Sequence, residues 1–283
     1  MYMADYVLAR KSRNIASSAV HVFLNILLGV MAVLITVFSG SPLIGILLVL
    51  VSKWRIFAVR RRYLWINLKA NLVDLIVGLS VVLLAAFAGS SLAPVHFVLM
   101  AVYVLWLLVL KPMSSETANL AQSLVAVFLG ISVVMLMSDV FKLNAVVCVL
   151  LAFLIGYAAS RHVLVQTDAQ DFTLTTLVCG LVFAEIAWMC NSWMIVYSLG
   201  NTGIMIPQAA IILTIFAFVY NYARQAMVKY QENFRFKDIL GPVVFGVVLI
   251  GILVIGFSSP TIILNRARSA AQPTNSSSTT ENK

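Results

Sequence analysis

Residues 119–138 read NLAQSLVAVFLGISVVMLMS, and this stretch decides the fold class. Twenty residues pass without a charge, and apolar side chains fall on every side of the helix they would form. At 1.5 Å per residue such a helix is about 30 Å long, which matches the hydrocarbon thickness of a bilayer. A soluble helix keeps one polar face; this one has none. In lipid every backbone N–H and C=O must pair internally, so helix is the expected conformation.

Working outward, the pattern recurs along nearly the whole chain. Spans are expected near 18–38, 42–57, 70–89, 94–110, 119–138, 142–160, 172–194, 207–223 and 240–257. The expected fold is an all-α polytopic membrane bundle of about nine transmembrane helices. It comprises a cytoplasmic N-terminus (1–17), a transmembrane domain (18–258) and a disordered polar tail (259–283). From Ser269 the tail is rich in Ala, Ser, Thr and Asn and cannot bury enough surface to order itself. The stretch 42–57 is the shortest, because Lys53 interrupts it. Either Trp54–Phe57 complete a crossing while Lys53 and Arg55 reach for the headgroups, or the segment re-enters as a hairpin. Composition agrees with lipid as solvent. The 283 residues are 62% hydrophobic and 10% charged, with mean hydropathy +1.01, against about 45–50% and about 25% in a soluble domain. The first apolar run has no cleavage site and is followed at once by a second, so it reads as a span and not a leader.

Proline falls where such boundaries need it. Pro42, Pro94, Pro207 and Pro242 each stand at an expected first turn, where the missing N–H costs nothing. The net charge of +9 follows the same logic. With the N-terminus cytoplasmic, fifteen of the 19 Lys and Arg fall on the inner side, and only Lys142, Arg266, Arg268 and Lys283 on the outer. That bias predicts N-in and C-out, in a plasma (cytoplasmic) membrane. The basic residues flank apolar runs and form no patch on a nucleic-acid module, so no nucleic-acid partner is expected. The inner loop with Arg60, Arg61 and Arg62 beside Tyr63 and Trp65 is the expected contact for anionic lipid headgroups.

Polar residues inside the membrane are the candidate site. Glu185 stands between Leu-Val-Phe-Ala and Ile-Ala-Trp-Met near the middle of its span. An acid there costs about 2.5–3.5 kcal/mol on insertion scales and needs an explanation. Asp74 lies about a turn inside the third span. Asn67, Asn71, Asp74 and Gly78 follow at helical spacing and predict one polar face. Ser18, His21, Asn25 and Gly29 form a similar stripe on the first span, at the same depth. By contrast, Thr173, Thr176, Gly180, Ala184, Ala187 and Asn191, and Ala145, Cys148, Ala152, Gly156 and Ser160, read as small-residue packing seams.

The motifs that name a chemistry are missing. The sequence has no phosphate-binding or dinucleotide glycine loop, no HExxH and no GxSxG. No cofactor and no metal site are expected, since Cys148, Cys179, Cys190 and the three His show no ligand spacing. No motif ties the chain to a known family. The function expected is a small permease or ion-coupled transporter that uses the intramembrane carboxylate. A membrane scaffold or assembly component is the alternative, and a lipid-modifying enzyme a further one; catalytic residues are not assigned.

Overall fold

A computed structural model describes residues 2–89, 91–165, 172–192, 195–198, 204–230 and 237–256; the side chains of residues 2–18, Arg55, Phe57, Arg61, Lys229, Tyr230 and Asp238 lie outside the description. The expected polar tail and the loop around Gly200–Gly203 also lie outside the described residues. The fold is predominantly α-helical. In chain order the elements are α1 (Tyr2–Ser39), α2 (Pro42–Ser52), α3 (Trp54–Phe57), α4 (Arg61–Ala70), α5 (Leu72–Phe87), and α6 (Pro94–Leu105), which runs into a π-helical turn (Trp106–Leu110). They continue with α7 (Glu116–Val140), α8 (Ala145–Leu164), α9 (Phe172–Ser192), β1 (Val196–Ser198), β2 (Met205–Pro207), α10 (Gln208–Tyr230) and α11 (Lys237–Gly256).

Among the described residues five helical stretches are long and apolar enough to cross a membrane: Ala19–Ser39, Glu116–Val140, Ala145–Leu164, Phe172–Ser192 and Gln208–Val228. A sixth is obtained if α4 and α5, bent by 63° at their junction, count as one. Three shorter apolar helices, Pro42–Ser52, Pro94–Leu110 and Ile239–Ile255, occupy the remaining expected stretches. The stretch 42–57 is not one helix: α2 stops at Ser52, and Lys53 separates it from α3.

The turns are built by local chemistry. Gly40, at φ +64°, reverses the chain between α1 and α2 without a Cβ clash. Ser41 then caps α2 ahead of Pro42. At the start of α6, the Ala93 N–H donates to His96 Nδ1 at 3.0 Å, and the buried ring contacts Ala85 O through Nε2 at 3.1 Å. With Nδ1 accepting, Nε2 carries the hydrogen, so His96 is a cap that ties α6 to α5. Pro242 departs from expectation. α11 begins at Lys237, so Pro242 falls inside the helix, because polar Lys237 and Asp238 extend it ahead of the apolar run.

Two buried cores meet along α7, with Ala158 of α8 also reaching the first. The first gathers α1, α2, α5 and α6 around Val33, Val77, Val81, Tyr103 and Trp106. The second gathers α7–α10 around Ile131, Met135, Phe183 and Leu213. α7 serves both, giving Ala126 and Leu129 to the first and Val127 and Ile131 to the second. The two expected seams pack against each other through Gly156 and Gly180, although Thr173 is exposed. A Cβ on Gly156 would overlap the Phe183 ring, and one on Gly180 would stand 3.0 Å from the Phe153 carbonyl oxygen.

Contacts between helix ends alternate. One end of the molecule joins the end of α2 to the start of α5 (Lys53 with Asp74) and the start of α9 to the second half of α10 (Tyr220 with Thr175). The other joins the end of α7 to the end of α9 (Ser138 with Asn191) and the start of α10 to the end of α11 (Gln208 with Leu253). The short β1–β2 hairpin lies at this second end, antiparallel, with Tyr197 opposite Ile206.

Candidate functional site

Asp74 owes its position to a break in the chain. Asn71 ends α4: its N–H reaches both Asn67 O and Leu68 O, and its side-chain amide also donates to Asn67 O at 2.9 Å. α5 restarts at Leu72 with Asp74 in its first turn, where a negative charge suits the unpaired N–H groups of the helix start. The 63° bend corrects one expectation. Asn67, Asn71, Asp74 and Gly78 do not form a continuous stripe, because the helix that would align them is interrupted at Asn71. Asp74 and Gly78 alone share the buried face of α5.

Three donors converge on the Asp74 carboxylate. Lys53 ends α2, and its side chain turns inward, 5% exposed, to pair with Asp74 Oδ2. Its Nζ also donates to the Asp74 backbone oxygen at 3.1 Å. Lys111 Nζ reaches the same Oδ2 at 2.8 Å from a half-exposed position. Trp106 Nε1 donates to Oδ1 at 2.9 Å. The π turn makes the last two contacts compatible. In an α-helix, residues five apart are rotated about 140° past a full turn, so Trp106 and Lys111 would diverge. Here the Lys111 N–H bonds to Trp106 O at 2.8 Å, the i→i+5 pattern, and both side chains face Asp74.

The cluster holds two positive charges and one negative. Both carboxylate oxygens are engaged by donors of the chain itself, two ammonium groups on Oδ2 and the indole on Oδ1, so the chemistry of Asp74 here is fastening. The Tyr103 hydroxyl, buried beside Gly78, has no hydrogen-bond partner among the described residues. A second polar knot lies between α6, α7 and α8. Gln122 donates to Leu110 O and Met113 O, tying the start of α7 to the turn that follows the π-helical segment. Its Oε1 accepts from His162 Nε2 at 2.6 Å. A third joins α9 and α10, where Arg224 donates to Thr175 Oγ1 at 3.0 Å and Tyr220 to Thr175 O at 2.7 Å.

The other residues expected at the site do not join Asp74. Glu185 is exposed on the outward side of α9, with no hydrogen bond or ion pair among the described residues. His21 is exposed and Asn25 half-buried. Residues 19–24 are exposed all round, because α1 meets its neighbours only from about Leu28 onward. His21 and Asn25 therefore do not meet Asp74. Arg60 and Arg62 are exposed, and Arg62 lies over the Tyr63 ring with its guanidinium carbon 4.5 Å from the centroid. Arg61 is in α4, but its side chain is outside the description. Lys69 stands 5.3 Å from the Trp65 centroid. With Trp54, Tyr63 and Trp65 exposed, α3 and α4 form a basic, aromatic elbow projecting from the bundle.

A cavity of about 160 Å³ lies at the opposite end, between α5, α6, α7 and β2. Its walls include Phe87, Leu99, Phe128 and Ile206. Its one polar wall residue, Ser132, already donates to Phe128 O at 2.6 Å. Among the described residues no three His, Cys, Asp or Glu gather as metal ligands would.

Sequence reasoning found Asp74 but not Lys53, Trp106, Lys111, Gln122 or His162. The two lysines looked like boundary charges; their position two helix ends from a buried acid was the available signal. No family model, no curated protein and no solved structure matches this chain, so the geometry alone carries any functional conclusion.

Proposed function

We propose that this chain is an integral membrane scaffold of nine alternating crossings, with its N-terminus cytoplasmic, that holds its basic elbow against anionic headgroups of the inner leaflet. The observation carrying this reading is the threefold satisfaction of Asp74 by Lys53, Lys111 and Trp106. An acid so engaged joins three helix ends beside the elbow and is not free to relay a proton. The alternating contacts between helix ends support nine crossings, short helices included. The exposed Trp54, Tyr63 and Trp65 beside Arg60, Arg62 and Lys69 have the composition of an interfacial anchor.

Reconstitution tests it. In nanodiscs, adding anionic lipid to a neutral bilayer raises the melting temperature, and replacing Arg60, Arg62 and Lys69 together by Gln removes that increment. Equal melting temperatures in both bilayers refute the headgroup contact.

A permease is the second reading. It is favoured by one observation: Asn221 Oδ1 and Arg224 Nε are buried on α10 without hydrogen-bond partners among the described residues. Groups of this kind line polar paths or hold water. A solute or proton flux in proteoliposomes that Asn221→Leu abolishes would replace the scaffold reading with this one.

A further inference from the structure

The two sides of α9 differ in kind. Its inward side is made of Thr176, Cys179, Gly180, Phe183, Ala184 and Ala187, all buried. Its outward side carries Leu174, Val178, Leu181, Glu185, Trp188 and Ser192, all exposed. These six positions are separated by four, three, four, three and four residues, the alternation that defines the contact seam of two helices wound around each other. Exposed apolar residues are unremarkable on a membrane helix, and the outward sides of α8 (Val146, Leu150, Leu154) and α11 (Val244, Phe245, Val248) have them without any acid. On α9 the same kind of surface has a carboxyl at its centre, and no described residue satisfies it.

We infer that the Leu174–Ser192 seam of α9 is a dimer interface, and that its occupant is the same seam of a second copy of this chain.

The carboxyl itself selects that occupant. Facing lipid alone, Glu185 is a polar group without a partner. The described outward surface of the spans offers no cation at that depth with which a different face of this chain would complement it. A carboxylic acid both donates and accepts one hydrogen bond, so it is its own complement. A two-fold axis along the membrane normal sets equal heights opposite each other, which brings Glu185 against Glu185 and closes a ring of two hydrogen bonds. The flanking seam residues pair likewise, Leu181 with Leu181 and Trp188 with Trp188. Small crossing angles follow from this spacing, so contact continues along the helix. A single polar residue in an otherwise apolar seam also fixes register and partner number, as it does in coiled coils. Polar side chains join membrane helices because the alternative is an unsatisfied group in hydrocarbon.

The test uses the full chain in membranes. In a Cys190→Ala background, where Cys148 and Cys179 remain buried, Leu181→Cys is compared with Phe245→Cys on the outward side of α11. Oxidation is expected to give a covalent dimer of the first and not of the second. Energy transfer between labelled copies, followed as lipid is added, then reads affinity. Glu185→Gln should keep it, since an amide also pairs with itself, whereas Glu185→Leu and Glu185→Ala should weaken it at least tenfold. An unchanged melting temperature of the diluted protein separates this effect from misfolding. Equal cross-linking at both positions, no self-association in the bilayer, full affinity in both the Leu and the Ala variant, or a seam cross-linked to a different polypeptide each overturns the inference.

Discussion

Asp74 and Glu185 are both acids within apolar helices, and the fold treats them in opposite ways. Asp74 is buried, receives three donors and joins the ends of α2, α5 and the π turn. Glu185 points away from its own bundle and receives none among the described residues. The difference teaches that the cost of a membrane carboxylate is met either inside a chain or between chains. An acid met inside is part of stability. An acid met outside is part of association, and removing it leaves the monomer intact.

Replacing Asp74 by Ala is the strongest test of that contrast. It leaves buried Lys53 and half-buried Lys111 unpaired, and removing one partner of a buried ion pair costs about 3–5 kcal/mol. Thermal unfolding of the purified protein should show this as a large fall in melting temperature. Exchanging all three charges for apolar residues, Lys53→Met, Asp74→Leu and Lys111→Met together, should recover most of it, because no unpaired charge then remains. If Asp74→Ala melts like the parent, the fastening role is wrong.

The next effects divide the cluster. Lys53→Met and Trp106→Phe each remove one buried donor from Asp74, and each should cost about 1–3 kcal/mol in chemical unfolding. Lys111→Met should cost less than about 1 kcal/mol, since water screens a half-exposed ammonium. A larger loss for Lys111 than for Lys53 would reverse the assignment of which lysine neutralises the acid. The smallest effect belongs to the other carboxyl. Glu185→Leu should leave the melting temperature of the diluted monomer unchanged, and a fall would show that Glu185 has a partner within its own chain.

Much of this was legible in the sequence, residue by residue. The absence of charge in 119–138 announced α7, and Pro42 and Pro94 marked the starts of α2 and α6. The seam Thr176, Gly180, Ala184 and Ala187 named the inward side of α9, and by the same geometry set Glu185 on the other side. The partners of Asp74 were hidden for identifiable reasons. Lys53 and Lys111 sit at span boundaries, where the positive-inside rule already accounts for them, and pairing across helix ends is a tertiary fact. The π turn has no signature in Trp106–Leu110, an apolar run like its neighbours, yet without it Trp106 and Lys111 do not share a side. The break at Asn71 interrupts a stripe that helical spacing alone makes continuous.

The Asp74 cluster also bears on how the protein is made. Its four members all precede α7 in the chain, so all are synthesised before the helix along which the two cores meet. Lys53 precedes Asp74 by 21 residues, so its ammonium is available as a counter-charge when Asp74 is inserted. Trp106 and Lys111 complete the set as the next helix is threaded. The Asp74 charge can thus be met during synthesis, before α7 adds Ala126 and Leu129 to the first core.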